Sequence, residues 1–193
     1  MNAFFPLRSL LSRPAAFLRM GLFWAAILLL GPVAQAQGTL KEKFGDWQLR
    51  CDKVPDKATG KDGEQCILLQ SLVDDQAMID GQKSEINLVV VVLKATDPKA
   101  SNARKPILRV IAPLGILLPR GLGLKVDSDV IGATGFVRCL PNGCVAEVEL
   151  DDGLIDKLKK GKEAVFVIFL PPDDGRGLPL VLDGFEKGFQ LLQ

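Results

Sequence analysis

Four cysteines, Cys51, Cys66, Cys139 and Cys144, are the most reactive side chains in this sequence. What they can do is bounded by an absence, because none of the 193 residues is His. A Cys-His nucleophile, a Ser-His-Asp triad, a His general base and a Cys/His zinc site are all excluded. A redox pair ordinarily uses Cys-x-x-Cys at a helix N-terminus, and no two cysteines here have that spacing. Structural disulfides in an oxidising compartment are the remaining use. Four cysteines allow more than one pairing, but the local pattern favours one. Phe136–Cys139 and Cys144–Leu150 flank Leu140-Pro141-Asn142-Gly143, which reads as a hairpin with Cys139 opposite Cys144 and Val137 opposite Ala146. The expected bonds are Cys139–Cys144 and Cys51–Cys66. The second closes a polar loop and contributes about 3 kcal/mol on the loop-entropy model.

The remaining candidates read as structure. Asp127-Ser128-Asp129 and Asp173-Asp174-Gly175 offer carboxylates, but neither has the spaced acids and terminal Glu of a calcium loop, so both read as turns. Asp151-Asp152 fits a helix N-cap better than a catalytic pair. Gly121-x-Gly123 lacks the third glycine and the βαβ setting of a dinucleotide loop. Lys157, Lys159, Lys160 and Lys162 read as a solvated helix face. Arg104, Lys105, Arg109, Arg120 and Lys125 could meet an acidic partner or phospholipid head groups. Trp47 alternates with Leu49 and Cys51, which places it in the core. No catalytic residue, cofactor or metal is expected. The formal charge of +1 gives no case for nucleic-acid binding.

The elements that must position these residues begin after residue 36. Arg8, Arg13 and Arg19 precede the apolar run Gly21–Leu30, then Gly31-Pro32 and Ala34-Gln35-Ala36. That order is a secretory signal peptide cleaved after Ala36. Its apolar run is too short for a membrane span, which needs roughly 20 residues. No cysteine follows the run as a lipidation site, and no later segment is long and apolar enough to span. Loss of the three arginines turns the remaining chain mildly acidic. Residues 37–193 are expected to form a single domain.

Within it, residues 37–43 are a polar start. Asp46–Cys51 and Cys66–Val73 read as strands, the Lys/Asp/Gly-rich residues 52–64 between them as a loop, and Ile86–Leu93 is apolar on both faces, as a central strand requires. Ile107–Ala112, Leu124–Val126, Val130–Gly132, the 136–150 hairpin, Ala164–Leu170 and Leu178–Leu182 continue the series. Residues 113–123 and 171–177 read as turn-rich connections. Asp151–Lys160, acidic first, basic last and followed by Gly161, is a short capped helix. Phe185, Phe189 and Leu192 suggest a terminal amphipathic turn. About nine short strands with one or two short helices argue for an all-β antiparallel sandwich. Long alternating helices for a parallel α/β fold are missing, and the strands lack the alternation of an outer-membrane barrel.

Phe44-Gly45-Asp46-Trp47, Cys51, Cys66, Pro113-Leu114-Gly115, Gly121-Leu122-Gly123-Leu124, Phe136-x-x-Cys139, Gly143-Cys144-Val145-Ala146 and Leu182-x-Gly184-Phe185 occur in this order. The series, over residues 44–189, resembles the invasion-associated locus B (IalB) family. The resemblance implies a β-sandwich of immunoglobulin-like character in an exported Gram-negative protein, periplasmic, envelope-associated or secreted. The founding member was linked to entry into host red cells. The four cysteines match the family pattern. The family has no established catalytic residues, so none carry over. The expected function is a non-enzymatic binding or accessory module with a role in host-cell invasion or virulence. Its expected partner is an unidentified protein or envelope component, met by peripheral association. The alternatives are an envelope-integrity or stress-protective structural component and a carboxylate-dependent hydrolase.

Overall fold

A computed structural model of the chain describes residues 38–55, 62–79, 82–94 and 105–192. The signal-peptide reading and Arg104 lie outside the described residues. The chain divides into two units, residues 1–36 and residues 37–193, and only the second contains described residues.

Eleven strands are present among the described residues: β1 (Thr39–Phe44), β2 (Trp47–Pro55), β3 (Asp62–Ile79), β4 (Gln82–Leu93), β5 (Ile107–Ala112), β6 (Leu122–Val126), β7 (Asp129–Thr134), β8 (Phe136–Leu140), β9 (Gly143–Glu149), β10 (Glu163–Leu170) and β11 (Asp174–Val181). Two helices, α1 (Asp152–Lys160) and α2 (Phe185–Gln190), and a 3-10 turn (Leu118–Arg120) complete the set. The larger sheet runs β1-β2-β3-β4-β5-β9-β8 and the smaller β11-β10-β6-β7. Every neighbouring pair is antiparallel. The two sheets form the expected antiparallel sandwich.

Period-2 alternation builds the layer between the sheets. Trp47, Leu49 and Cys51 of β2, Leu68 and Leu72 of β3, Leu88, Val90 and Val92 of β4, and Leu108 and Val110 of β5 are buried from one side. Leu122, Leu124, Val126, Ala164, Phe166, Ile168, Leu178 and Leu180 are buried from the other and join the same core. Helix α1 starts where the Asp151 carboxylate accepts from the Leu154 amide at 2.7 Å, the cap its sequence promised. Its Leu154, Ile155 and Leu158 enter the core. In α2, Phe185 meets the Trp47 ring edge-on at 5.2 Å between centroids.

The two halves of the core are also joined by hydrogen bonds. Trp47 Nε1 donates to the Val181 carbonyl at 2.9 Å. Gln70, the one buried polar side chain among the described residues, accepts from Val181 N at 3.1 Å and donates to Val181 O at 3.3 Å.

Several local expectations change. The loop expected over 52–64 is cut short at both ends, because β2 runs on to Pro55 and β3 begins at Asp62, and the connection expected over 113–123 gives way to β6 at Leu122. The polar start contains β1, an edge strand whose residues 39–43 are all exposed. Its Lys41 and Lys43 suit an edge, where charge discourages further pairing. The connection at 171–177 is shorter than expected, because β11 begins at Asp174 opposite Leu170. Backbone pairing there needs no apolar side chains, so Gly175 and Gly177 hid the strand. In the β8–β9 hairpin Cys139 does face Cys144, but Phe136, not Val137, faces Ala146, because the register shifts between Phe136 and Arg138. The bulge turns Val137 out, 64% exposed.

Candidate functional site

The candidate residues named from the sequence do not converge. Cys51 bonds Cys66, and Cys139 bonds Cys144, each across a directly opposed strand pair. Cys51, Glu64 and Cys66 lie close enough together to surround an ion. With both sulfurs in the disulfide, neither supplies the thiolate a metal needs, and Glu64 turns to Lys41 at 2.7 Å.

The acids of the turns hold structure. The Asp127 carboxylate accepts from the amides of Lys162 and Glu163 at 3.0 and 3.1 Å, pinning the β6–β7 turn to the start of β10. Asp129 pairs with Lys157, Asp173 with Arg120 and Asp174 with Arg176. The basic residues are likewise dispersed. Lys160 pairs with Asp156 one helical turn earlier, and Lys159 and Lys94 lie over the Phe189 ring at 5.2 and 5.0 Å. Arg120 stacks on Phe169 at 4.5 Å, whereas Arg109 binds Glu147 at 2.8 Å on the outward face of the larger sheet. Arg109, on the larger sheet, therefore does not share a surface with Arg120 and Lys125, which lie on the outward face of the smaller one.

The site that the fold does create is a cavity of about 410 Å³ between the sheets, beside β7 and β9. Its walls are Leu108 and Val110 of β5, Leu122 and Leu124 of β6, Phe166 of β10 and Leu154 of α1. A concave, mostly apolar pocket of this size falls in the range that takes a small ligand or an inserted side chain. Register explains why it is open. Gly132 pairs with Leu124 and Thr134 with Leu122, so these two β7 positions share the inward face of their sheet. Across the gap, β9 turns Ala146 and Val148 inward, opposite Val110 and Leu108 of β5. Glycine, threonine and alanine leave unfilled a layer that larger side chains would close, and a Cβ on Gly132 would meet nothing within 4 Å.

The mouth of the cavity is edged by consecutive residues of two strands, Ile131–Thr134 and Ala146–Glu149. Alternate side chains of a strand point away from one face, so part of this rim is main chain. Glu147 and Glu149 share the outward face with Arg109 and Ile107, their partners in β5. A hydrolase using this pair would need both acids turned inward, but Glu147 is held by Arg109 on the opposite face.

Residues 47–193 match the family model described as invasion associated locus B (IalB) protein. The chain belongs to this family. Two invasion protein B homologues, from Brucella abortus strain 2308 and from B. abortus biovar 1 strain 9-941, are each 27% identical to it over 156 residues. Each match covers 80% of this chain and 80% of the relative. The crystal structure of invasion associated protein B from Bartonella henselae superposes with a TM-score of 0.57 at 22% identity, covering 79% of this chain and 93% of that one. At that identity the likeness speaks for a shared fold.

In this member of the invasion-associated locus B family, several motif residues that carried the resemblance have structural work. Trp47 and Phe185 form the aromatic contact under the larger sheet, and Gly184 begins α2 against the backbone of Phe44. Reading the sequence missed the cavity residues. Their only local signal was the run of small residues Gly132-Ala133-Thr134-Gly135 in an otherwise apolar series.

Proposed function

We propose that this chain is an exported, non-enzymatic binding module of the invasion-associated kind, released after Ala36 into the periplasm or beyond. One observation carries the binding reading: the apolar cavity between β7 and β9, open to solvent and walled by side chains that do no chemistry. The two disulfides fit an oxidising compartment. Among the described residues no helix is long and apolar enough to cross a membrane. The names of the relatives favour an invasion role over enzyme activity.

Export is tested by expressing the full chain in a Gram-negative host. The expected result is a periplasmic or released product beginning at Gln37; a cytoplasmic product that retains residues 1–36 overturns this part. The site is tested by titrating the exported protein with phenylnaphthylamine, a neutral apolar fluorophore that brightens in apolar cavities. Saturable binding is expected, lost when Thr134→Phe fills the mouth. Absence of binding removes the cavity as a ligand site. An invasion role predicts reduced host-cell entry after deletion of the gene, whereas detergent sensitivity with normal entry would favour the envelope-integrity reading.

A further inference from the structure

The cavity mouth carries more information than its volume, because its rim consists of two strand edges. Strand β7 ends its sheet and pairs only with β6. Strand β9 is paired on both flanks only as far as Ala146, where β8 begins at Phe136. Beyond it, Val148 and Glu149 pair with β5 alone. The orientation of their main chain follows from one hydrogen bond. The Leu150 amide donates to the Pro106 carbonyl at 2.7 Å, towards β5. Backbone groups alternate along an antiparallel strand. Val148 and Ala146 therefore face β5 as well, so the Phe136–Ala146 pair directs the Glu147 amide at Gly135, and the N–H and C=O groups of Glu149 face the open flank. An alkyl chain lying in the mouth would leave these groups without partners inside the complex, whereas an added strand would pair them.

Resting on the binding-module reading above, we propose that the mouth receives an extended peptide segment of a partner protein. The segment adds as a strand to β9 at Glu149, past the Gly135 corner, and sets an aliphatic side chain into the cavity. Charge fixes the rest of its chemistry. The Glu147 and Glu149 side chains stand on the outward face, where Arg109 already pairs with Glu147 from the β5 flank. An added strand places its own outward residues beside Glu149, and diagonally within reach of Glu147, from the other flank. Opposite charges across a ladder stabilise pairing and like charges oppose it. The recognised segment thus alternates aliphatic residues, directed inward, with Lys or Arg, directed outward. The strand it adds continues the line that β8 leaves at the Gly135 corner, so the larger sheet gains pairing without rearrangement of its core.

The probe is a dye-labelled hexapeptide of alternating Val and Lys, blocked at both ends, titrated into the exported protein and followed by fluorescence anisotropy. Two further peptides accompany it: alternating Val and Glu, and the Val-Lys peptide with alternate amides N-methylated. The Val-Lys peptide is expected to bind about tenfold more tightly than the Val-Glu peptide, and N-methylation on the pairing edge is expected to abolish binding. Glu149→Lys, at an exposed position, is expected to narrow or reverse the charge preference while leaving the fold unchanged. Thr134→Phe is expected to block both unmethylated peptides. Equal binding of the Val-Lys and Val-Glu peptides, tolerance of N-methylation, or no effect of either variant overturns the proposal. If phenylnaphthylamine fills the cavity and no peptide binds, strand addition is wrong and the apolar pocket stands.

Discussion

The side-chain amide of Gln70 is paired with the backbone of Val181 as a peptide group would be. It accepts from Val181 N at 3.1 Å and donates to Val181 O at 3.3 Å. Gln70 is 3% exposed and lies on β3 of the larger sheet, while Val181 ends β11 of the smaller one. The strand edge facing away from β10 is thus capped by a side chain from the opposing layer. Trp47 adds a second donor to the same carbonyl. Among the described residues no buried side-chain nitrogen or oxygen lacks a partner, and this clamp is why Gln70 is not an exception.

Replacing Gln70 by Met keeps the volume and removes both bonds. The Val181 carbonyl retains Trp47, but its amide loses its partner. The expected loss of stability is about 1–3 kcal/mol, the cost of an unsatisfied partly buried donor. A urea midpoint unchanged from the parent protein would show that the clamp contributes nothing.

Gly184 opens α2 at a φ of +86°, where a Cβ would collide with the carbonyl of Phe44. Gly184→Ala should cost about 1–3 kcal/mol from the left-handed backbone alone, and more from the collision. It should also disturb the packing of Phe185 on Trp47. Thermal unfolding with Trp fluorescence as the signal reads both effects.

The disulfides differ in the loops they close, with separations of 15 residues for Cys51–Cys66 and 5 for Cys139–Cys144. On the loop-entropy model, the Cys51→Ala/Cys66→Ala pair should lose about 3 kcal/mol and the Cys139→Ala/Cys144→Ala pair about 2 kcal/mol. Equilibrium denaturation of the two double variants tests the order. Thiol titration of the unfolded, unreduced protein should find no free sulfhydryl.

Asp151 caps α1 through the Leu154 amide. Asp151→Ala should destabilise by about 1 kcal/mol and Asp151→Asn by much less, since asparagine caps equally well. Equal losses from the two would mean that the carboxylate acts by charge and not as an acceptor.

Ala146 faces the cavity from β9 and is 1% exposed. Ala146→Val adds apolar atoms to empty space and should raise stability by about 1 kcal/mol, while weakening phenylnaphthylamine binding. Opposite movement of stability and affinity would mark the small residue as kept for function.

Much of the sandwich was legible because alternation is a local signal. Trp47-x-Leu49-x-Cys51 shows its buried face within five residues, and the uninterrupted Ile86–Leu93 run announces a central strand. Helix α1 was legible for the same reason, as its acids, bases and stopping glycine are neighbours in sequence. Strand β1 and the start of β11 were not, because an exposed edge strand pairs through its backbone while its side chains stay polar or absent. The Cys139–Cys144 pairing followed from the hairpin, yet its register did not. A bulge at Val137 costs one residue and leaves no mark in composition.

The amino-acid sequence alone therefore determined most of the elements, the all-β class and the family. Each depends on residue type at short spacing, whether as period-2 burial, a capped helix or an ordered set of motifs. Only the tertiary structure decided the clamp and the cavity. Gln70 and Val181 are 111 residues apart, and nothing in either neighbourhood says that one will serve as the other's strand partner. The cavity is defined by what Gly132, Thr134 and Ala146 fail to fill, and a void exists only once separate strands are brought face to face.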